Sequence, residues 1–517
     1  MKKRDSWKSR LGIIMAVAGS AIGLGNFLRF PVQAGQNGGG AFMIPYFISI
    51  ILLGIPLMWI EWTIGRFGGG FGHGTAPGIF HNMWTKNRFI KYFGVIGIFG
   101  PLVIFIYYTY IESWTLAYAF FSLTEKYGQV AGQDTMVSLL KGFQGLEKNQ
   151  FFSDMRYAYV FFLITFCVNT WIIYKGISGG IEKICKIALP VLFIFGVILA
   201  IRVLTLGAPD PLKPDWNILN GLGWLWNPDF SSLKDAKVWL AAAGQVLFTL
   251  SVGIGVILTY ASYLKKTDDI VLSGLTAAST NEFAEVILGS SIIIPAAFAF
   301  FGPVDITNIA KSGAFNLGFV TMPLIFDKVS LGAFFGCLWF LLLFLAGITS
   351  SISLAQPAVT FLEDEFNISK KKAVIIFGAA SFILCQPAIF FLKNGVVNEL
   401  DFWGGTFCLV LFAAVEVILF GWIFGMEKAW EEIHHGADMK LPRVYKFIMK
   451  YITPLFLIFI LIAWFYQQAI PILFMRGIEQ SDKPYILGIR LMLLGIFFTL
   501  AVLVKIAWQK RKTKVKT

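Results

Sequence analysis

The sequence predicts an all-α integral membrane protein with twelve transmembrane helices, and three observations carry that reading. Of its 517 residues, 57% are hydrophobic and only 14% charged, whereas soluble domains carry about 25% charged residues. Apolar runs of around 20 residues, enough for one bilayer crossing, recur along the whole length and leave no room for a soluble domain. The basic residues alternate in step with those runs: with the N-terminus inside, 28 of the 43 Lys and Arg fall in inner segments. That is the positive-inside bias, and it places both termini in the cytoplasm.

The first span is expected near 11–37, interrupted by glycines. Spans two to five follow near 41–66, 88–122, 157–175 and 182–205. A second interrupted span near 237–263 opens a further set at 270–300, 332–362, 373–391 and 399–424, with two more at 446–466 and 484–508. The expected organisation is therefore a cytoplasmic segment at 1–10, a five-span repeat at 11–205, a second at 237–424, two final helices at 446–508 and a basic tail at 509–517. Polar loops at 123–156 and 207–236 lie outside, and 303–330 is expected to form a short helical hairpin over the outer face. Gly38-Gly39-Gly40 and Gly68-Gly69-Gly70 are expected to mark turns.

Composition excludes several classes. The five cysteines (167, 185, 337, 385 and 408) lie inside apolar runs and are odd in number, which argues against a disulfide framework. Four histidines and no CxxC give no transition-metal pattern. The first apolar run leads into glycines and Arg29 rather than a small-residue cleavage site, so no signal peptide is expected. The net charge of +13 follows membrane topology instead of forming a nucleic-acid patch. Lys510-Arg511-Lys512 reads as a contact with anionic lipid.

Gly19-Ser20-Ala21-Ile22-Gly23-Leu24-Gly25-Asn26-Phe27-Leu28-Arg29 stands out within the first span. Glycine is poor helix material, and Asn26 and Arg29 are polar where a lipid-facing span would carry Leu. A backbone that leaves the helix in hydrocarbon needs partners inside the protein or in a wet cavity. The run therefore reads as a helix broken at mid-membrane, one half ending near Ile22 and the next beginning near Gly25. Close helix packing through Gly19-x-x-x-Gly23 is the competing explanation. Gln245-Val246-Leu247-Phe248-Thr249-Leu250-Ser251-Val252-Gly253-Ile254-Gly255 repeats the interruption in the sixth span. Spans one and six would open two five-span halves of opposite orientation, the arrangement in which paired broken helices mark a transporter binding site. Half-helix N-termini suit a carboxylate, while freed carbonyls suit a cation or an ammonium.

From Gly23-Leu24-Gly25-Asn26-Phe27-Leu28-Arg29-Phe30-Pro31 through Asn37-Gly38-Gly39-Gly40-Ala41-Phe42-Met43-Ile44-Pro45-Tyr46, the chain resembles the neurotransmitter:sodium symporters, most closely their bacterial leucine-carrying branch. The likeness continues at Tyr107-Tyr108-Thr109-Tyr110-Ile111-Glu112-Ser113-Trp114, Asn281-Glu282, Ala346-Gly347-Ile348-Thr349-Ser350-Ser351 and Asp401-Phe402-Trp403. It implies Na⁺-coupled uptake of a neutral, apolar, aliphatic or aromatic L-amino acid by alternating access.

On that resemblance, the substrate carboxylate meets the N–H groups of Leu24 and Gly25 and the Tyr108 hydroxyl. The ammonium meets carbonyls of Ala21, Phe248 and Thr249 and the Ser251 hydroxyl. The side chain lies among Ile104, Tyr108, Phe248, Ile254, Ser350 and Leu354, and Gly23 leaves room for the carboxylate. One Na⁺ is implied among the Ala21 carbonyl, Asn26, Thr249, Asn281 and the substrate. The second is implied among carbonyls of Gly19, Ile22 and Ala346 and hydroxyls of Thr349 and Ser350. The chain departs from the leucine carriers at Ser20 (Asn there), Ile254 (Phe), Ile104 (Val) and Leu354 (Ile). The preferred side chain therefore stays open, and the lost ring at Ile254 admits a larger one.

The resemblance also implies an outer gate of Arg29 and Asp401 above Tyr108 and Phe248, and an inner gate of Arg4 and Asp364 with Trp7, Ser262 and Tyr263. Glu285 corresponds to a built-in carboxylate that replaces chloride, so no chloride requirement is expected. Glu61 is placed to bond the unwound backbone, and Glu112 to share a proton with Glu416. The implied location is the inner (plasma) membrane, and the resemblance leaves room for a homodimer. An ATP-driven pump would need a GxxxxGK[ST] loop, and the sequence has none. No nucleophile constellation points to an enzyme. A Na⁺-dependent amino-acid sensor and a proton-coupled transporter remain the alternatives.

Overall fold

A computed structural model describes residues 5–128, 130, 132–311 and 313–516, leaving aside the side chains at 305, 307–311, 468 and 512–516. Among these residues helix is the only extended regular element, and one isolated bridge joins Gly39 to Pro228. Nine described helices are long and apolar enough to cross a membrane, or ten if one bent pair is a single span.

That bent pair comes first: α1 (Arg10–Ala21) and α2 (Leu24–Gln36) meet at 46°. The side chain of Ser9 caps α1 by accepting from the Gly12 N–H. Then come α3 (Gly40–Gly69) and α4 (Ile90–Leu123). The 49-residue apolar stretch Arg156–Leu204, expected as two spans, turns at Gly176 (φ +82°) into α5 (Arg156–Gly176) and α6 (Glu182–Leu204). The sixth expected span is divided into α7 (Ala236–Thr249) and α8 (Val256–Ala261). The remaining long helices are α9 (Val271–Val304), α10 (Gly332–Phe366), α11 (Lys370–Phe390), α12 (Val396–His434) and α13 (Val444–Gln467). The chain's last helix is α14 (Lys483–Lys516).

Burial sorts these helices. α4 lies inside the protein for most of its length and runs along α10, whereas α14 exposes an apolar flank. In a bilayer that flank would face lipid, so exposure of Leu487, Leu491, Leu494 and Phe498 is not a defect. α1 packs against α6, α9 and α10, and α8 against α3. The close approach of α8 and α3 depends on glycine: a Cβ at Gly65 would lie 2.2 Å from the Leu258 carbonyl oxygen, and one at Gly69 2.1 Å from that of Ser262.

One loop expectation changes in part. Gly68 and Gly69 are helical and serve packing; the turn opens at Gly70 and runs through Gly72 (φ +75°). Gly38 and Gly39 do turn, at φ +91° and +59°. The outer segments hold short helices at Gln133–Phe143 and Ile218–Trp226, and the stretch expected as a hairpin holds two helical segments, one running from the kink at Gly302 (φ +80°) to Lys311 and the next at Ala314–Asp327.

Candidate functional site

Both interruptions lie beside one cavity. Between α1 and α2 only Ile22 and Gly23 are non-helical, and Gly23 is extended (φ −118°, ψ −169°). The Asn26 carboxamide accepts from the Gly23 N–H at 2.9 Å, and the Tyr108 hydroxyl accepts from the Leu24 N–H at 3.1 Å. The start of α2 is thereby held by side chains, and its amides point toward α4. Between α7 and α8 the break is longer and more irregular, with Ser251, Gly253 and Gly255 at φ +53°, +77° and +80°. Glycine is required at the last two, where a Cβ would lie 2.6 Å from the Leu409 carbonyl oxygen and 2.5 Å from that of Gly97. The Gly253 N–H donates to the buried carboxyl of Glu61, the backbone contact expected of that acid.

The cavity admits water centres over about 50 Å³, where one water needs about 10–15 Å³. From α1, α2 and the gap between them come Ser20, Ala21, Gly23, Gly25 and Asn26; α4 contributes Ile104 and Tyr108. Phe248, Thr249, Ser251 and Ile254 come from the second break, and Ser350, Ser353 and Leu354 from α10. All the residues expected around a substrate line it except Leu24, which presents its amide to Tyr108. Ser20 was singled out only as a departure from the leucine carriers, and Ser353 and Leu409 were not expected. The Ser20 and Ser353 hydroxyls meet at 2.7 Å; Ser353, one turn from Ser350 on the same helix, could have been found by spacing. No local signal marks Leu409, which α12 brings in from far along the chain.

Two groups of oxygen atoms adjoin the cavity. In one, the Asn26 amide donates to Asn281 Oδ1 at 2.8 Å and to Thr249 Oγ1 at 3.3 Å, while the Asn281 amide donates to the same Thr249 oxygen at 3.1 Å. In the other, the Ser350 hydroxyl lies 3.4, 3.5 and 3.1 Å from the carbonyl oxygens of Gly19, Ile22 and Ala346. Thr349 Oγ1 is 3.2 Å from the Ala346 oxygen. The second group offers uncharged oxygens only, a donor set that fits a hard monovalent cation. Among the described residues, no group of three or more His, Cys, Asp or Glu could hold a metal ion.

Beside the first group, Glu285 is fully buried. It accepts from Gln245 Nε2 at 2.5 Å, from the Tyr46 hydroxyl at 3.0 Å and from the Thr249 hydroxyl. Tyr46 also reaches Glu282 at 2.9 Å. Neither Gln245 nor Tyr46 was expected here.

At the outer end, Arg29 and Asp401 do not pair directly. The Arg29 guanidinium lies 4.1 Å above the Phe248 ring, and Asp401 Oδ1 accepts from Tyr107 at 2.6 Å. Each charge has a partner from a neighbouring aromatic residue, so the expected ion pair is replaced by two separate contacts. At the inner end, Trp7 Nε1 donates to the Tyr260 carbonyl at 3.0 Å, and the Tyr263 hydroxyl meets Thr360 Oγ1 at 2.9 Å. The Ser262 hydroxyl donates to its own helix at Thr259 (2.6 Å), and Asp364 is partnered. Arg4 lies outside the described residues. Glu112 does not meet Glu416: it accepts from Asn169 at 3.0 Å, and Glu416 faces Glu61 instead, because α12 presents it to α3 rather than to α4.

Comparison with known proteins places these features in context. The model of the sodium:neurotransmitter symporter family matches residues 4–138 and 144–510. An uncharacterised sodium-dependent transporter of Methanocaldococcus jannaschii is 32% identical over 467 residues, covering 88% of this chain and 89% of its own. A sodium- and chloride-dependent glycine transporter 2 of Xenopus laevis is 26% identical over 539 residues, covering 90% of this chain and 65% of its own. Among solved structures, MhsT in complex with L-phenylalanine superposes with a TM-score of 0.76 at 30% identity, covering 89% of this chain and all of that one.

Proposed function

The chain belongs to the sodium:neurotransmitter symporter family, and from that membership we propose that it imports a neutral, apolar L-amino acid together with two Na⁺ by alternating access. The observation that carries this reading is a single cavity with both helix breaks on its wall, the start of α2 on one side and the end of α7 on the other. A zwitterion needs partial positive and partial negative charge side by side, and two interrupted helices supply both without a fixed counter-charge.

In this reading the Leu24 and Gly25 amides and the Tyr108 hydroxyl take the carboxylate. The Ala21, Phe248 and Thr249 carbonyls and the Ser251 hydroxyl take the ammonium, and Ile104, Ile254, Ser350 and Leu354 surround the side chain. One Na⁺ uses the Ala21 carbonyl, Asn26, Thr249 and Asn281, and contacts the substrate itself. The other uses Gly19, Ile22, Ala346, Thr349 and Ser350. Phe248 with Tyr108 closes the cavity outward under Arg29 and Asp401; Trp7, Ser262, Tyr263 and Asp364 close it inward. Glu285 supplies the negative charge that makes chloride unnecessary.

The membrane arrangement proposed is twelve spans in two inverted sets of five followed by two more. Both breaks then lie at mid-depth, both termini in the cytoplasm and the chain in the plasma (inner) membrane. Moving one charge through 100 mV is worth about 2.3 kcal/mol, so two Na⁺ with a neutral zwitterion contribute about 4.6 kcal/mol. At about 1.4 kcal/mol per tenfold, that sustains accumulation on the order of a thousandfold.

The test is uptake of radiolabelled amino acids into proteoliposomes under an inward Na⁺ gradient. Replacement of Na⁺ by choline at fixed pH should abolish it. Uptake that follows a proton gradient without Na⁺, or saturable binding without uptake, would refute Na⁺-coupled import. Aspartate or a decarboxylated amine outcompeting every apolar amino acid would refute the assignment of the cavity.

A further inference from the structure

Four serines, Ser20, Ser251, Ser350 and Ser353, line the cavity, and each spends its one hydroxyl proton inside the protein. Ser251 donates to the Ser20 carbonyl at 2.9 Å, and Ser350 to the Ser20 and Ala346 carbonyls at 3.2 and 3.1 Å. Ser353 donates to the Ser350 carbonyl at 2.6 Å. Its oxygen can then only accept across the 2.7 Å contact with Ser20, so Ser20 is the donor there. Ser20 and Ser353 are 3% and 0% exposed, and among the described residues no N–H or O–H donates to Ser20 Oγ. The pair therefore shows the cavity lone pairs and no hydrogen.

Buried lone pairs call for a donor, and the ammonium of the proposed substrate has none to spare. Its three N–H groups already face the Ala21, Phe248 and Thr249 carbonyls and the Ser251 hydroxyl. The donor must come from the side chain, on a body that fills the apolar space among Ile104, Ile254, Leu354 and Leu409. Serine and threonine are too short to fill it. Asparagine and glutamine bring an acceptor oxygen as well, for which no serine proton is left. A phenol also carries lone pairs, whereas an indole N–H donates and accepts nothing. We propose that Ser20 and Ser353 are specificity-determining residues that accept from the N–H of an indole side chain. The cavity then prefers tryptophan over a ring system of the same shape without a donor. This rests on the amino-acid reading above and narrows its side chain.

The test is competition binding to the full-length protein in Na⁺ with two probes, L-tryptophan and benzothienyl-L-alanine, in which sulfur replaces the ring N–H at nearly unchanged shape. L-Tryptophan should compete at least about tenfold better. With Ser20→Ala and Ser353→Ala combined, that ratio should fall to about one, because the acceptors are gone while the apolar walls remain. Equal affinities in the unaltered protein, as when a water takes the two serines' lone pairs instead, would overturn the proposal. A ratio that survives in the double variant would overturn it too. The ratio in the unaltered protein decides the matter by itself should the double variant fail to fold. Na⁺-dependent binding of apolar amino acids without a tryptophan preference counts against the two serines alone. Absence of any Na⁺-dependent amino-acid binding counts against the wider reading as well.

Discussion

Replacing Glu285 by Ser tests whether a built-in charge does the work of an external anion. The carboxylate receives three donors, from Gln245, Tyr46 and Thr249, and the substitution would leave them around a shorter, uncharged hydroxyl. Thr249 Oγ1 also lies 3.1 Å from the Asn281 amide, so the acid is one side chain away from the proposed first Na⁺, roughly 6 Å. At that separation and an effective dielectric of about 20, the lost attraction is about 2.8 kcal/mol. This corresponds to about a hundredfold in Na⁺ affinity. An anion drawn in by the Gln245 and Thr249 donors, with Tyr46 keeping Glu282 at 2.9 Å, should recover part of it. The assay is scintillation-proximity binding of a labelled apolar amino acid, titrated with Na⁺ as the gluconate and again as the chloride. The unaltered protein should give one curve in both salts. The variant should give a curve shifted by one to two decades in gluconate and moved back by chloride. Superposition of all four curves would refute the role assigned to Glu285, and chloride dependence of the unaltered protein would refute it from the other side.

Three further outcomes follow from the geometry. A methyl group at Gly25 would lie 2.7 Å from Phe248 Cε1 and push the lid ring outward, so Gly25→Ala should weaken substrate binding by about tenfold or more while the detergent-solubilised protein still elutes as a single folded species. Leu409→Trp fills the α12 side of the cavity; in competition binding it should exclude aromatic amino acids far more than alanine, and an equal loss for both would show that Leu409 does not set side-chain size. Buried Glu365 is held by His73 at 2.7 Å and by Arg511 at 3.1 Å. Arg511→Ala should therefore cost about 1–2 kcal/mol, read as a lower melting temperature, with Glu365→Gln plus Arg511→Ala less harmful than Arg511→Ala alone. The range allows for Arg511 being partly exposed and for His73 remaining.

What the residues alone determined was whatever depends on local composition. Glycines beside Asn26 and around Ser251 interrupt an apolar helix, so the first break was legible within a residue of where α1 ends and α2 begins, and the second as a run, Gln245–Gly255, that holds the gap between α7 and α8. Basic residues between apolar runs carry the proposed orientation, because charge resists crossing the bilayer. Packing decided the rest, because it depends on which distant helices share a face. Asp401 takes the Tyr107 hydroxyl and leaves Arg29 to Phe248, since only the folded chain measures the gap between α2 and α12. Glu416 turned to Glu61 and not to Glu112 because helical periodicity places an acid on a face without saying which neighbour that face meets. Leu409 entered the cavity for the same reason, brought there by a helix that no motif connects to the breaks.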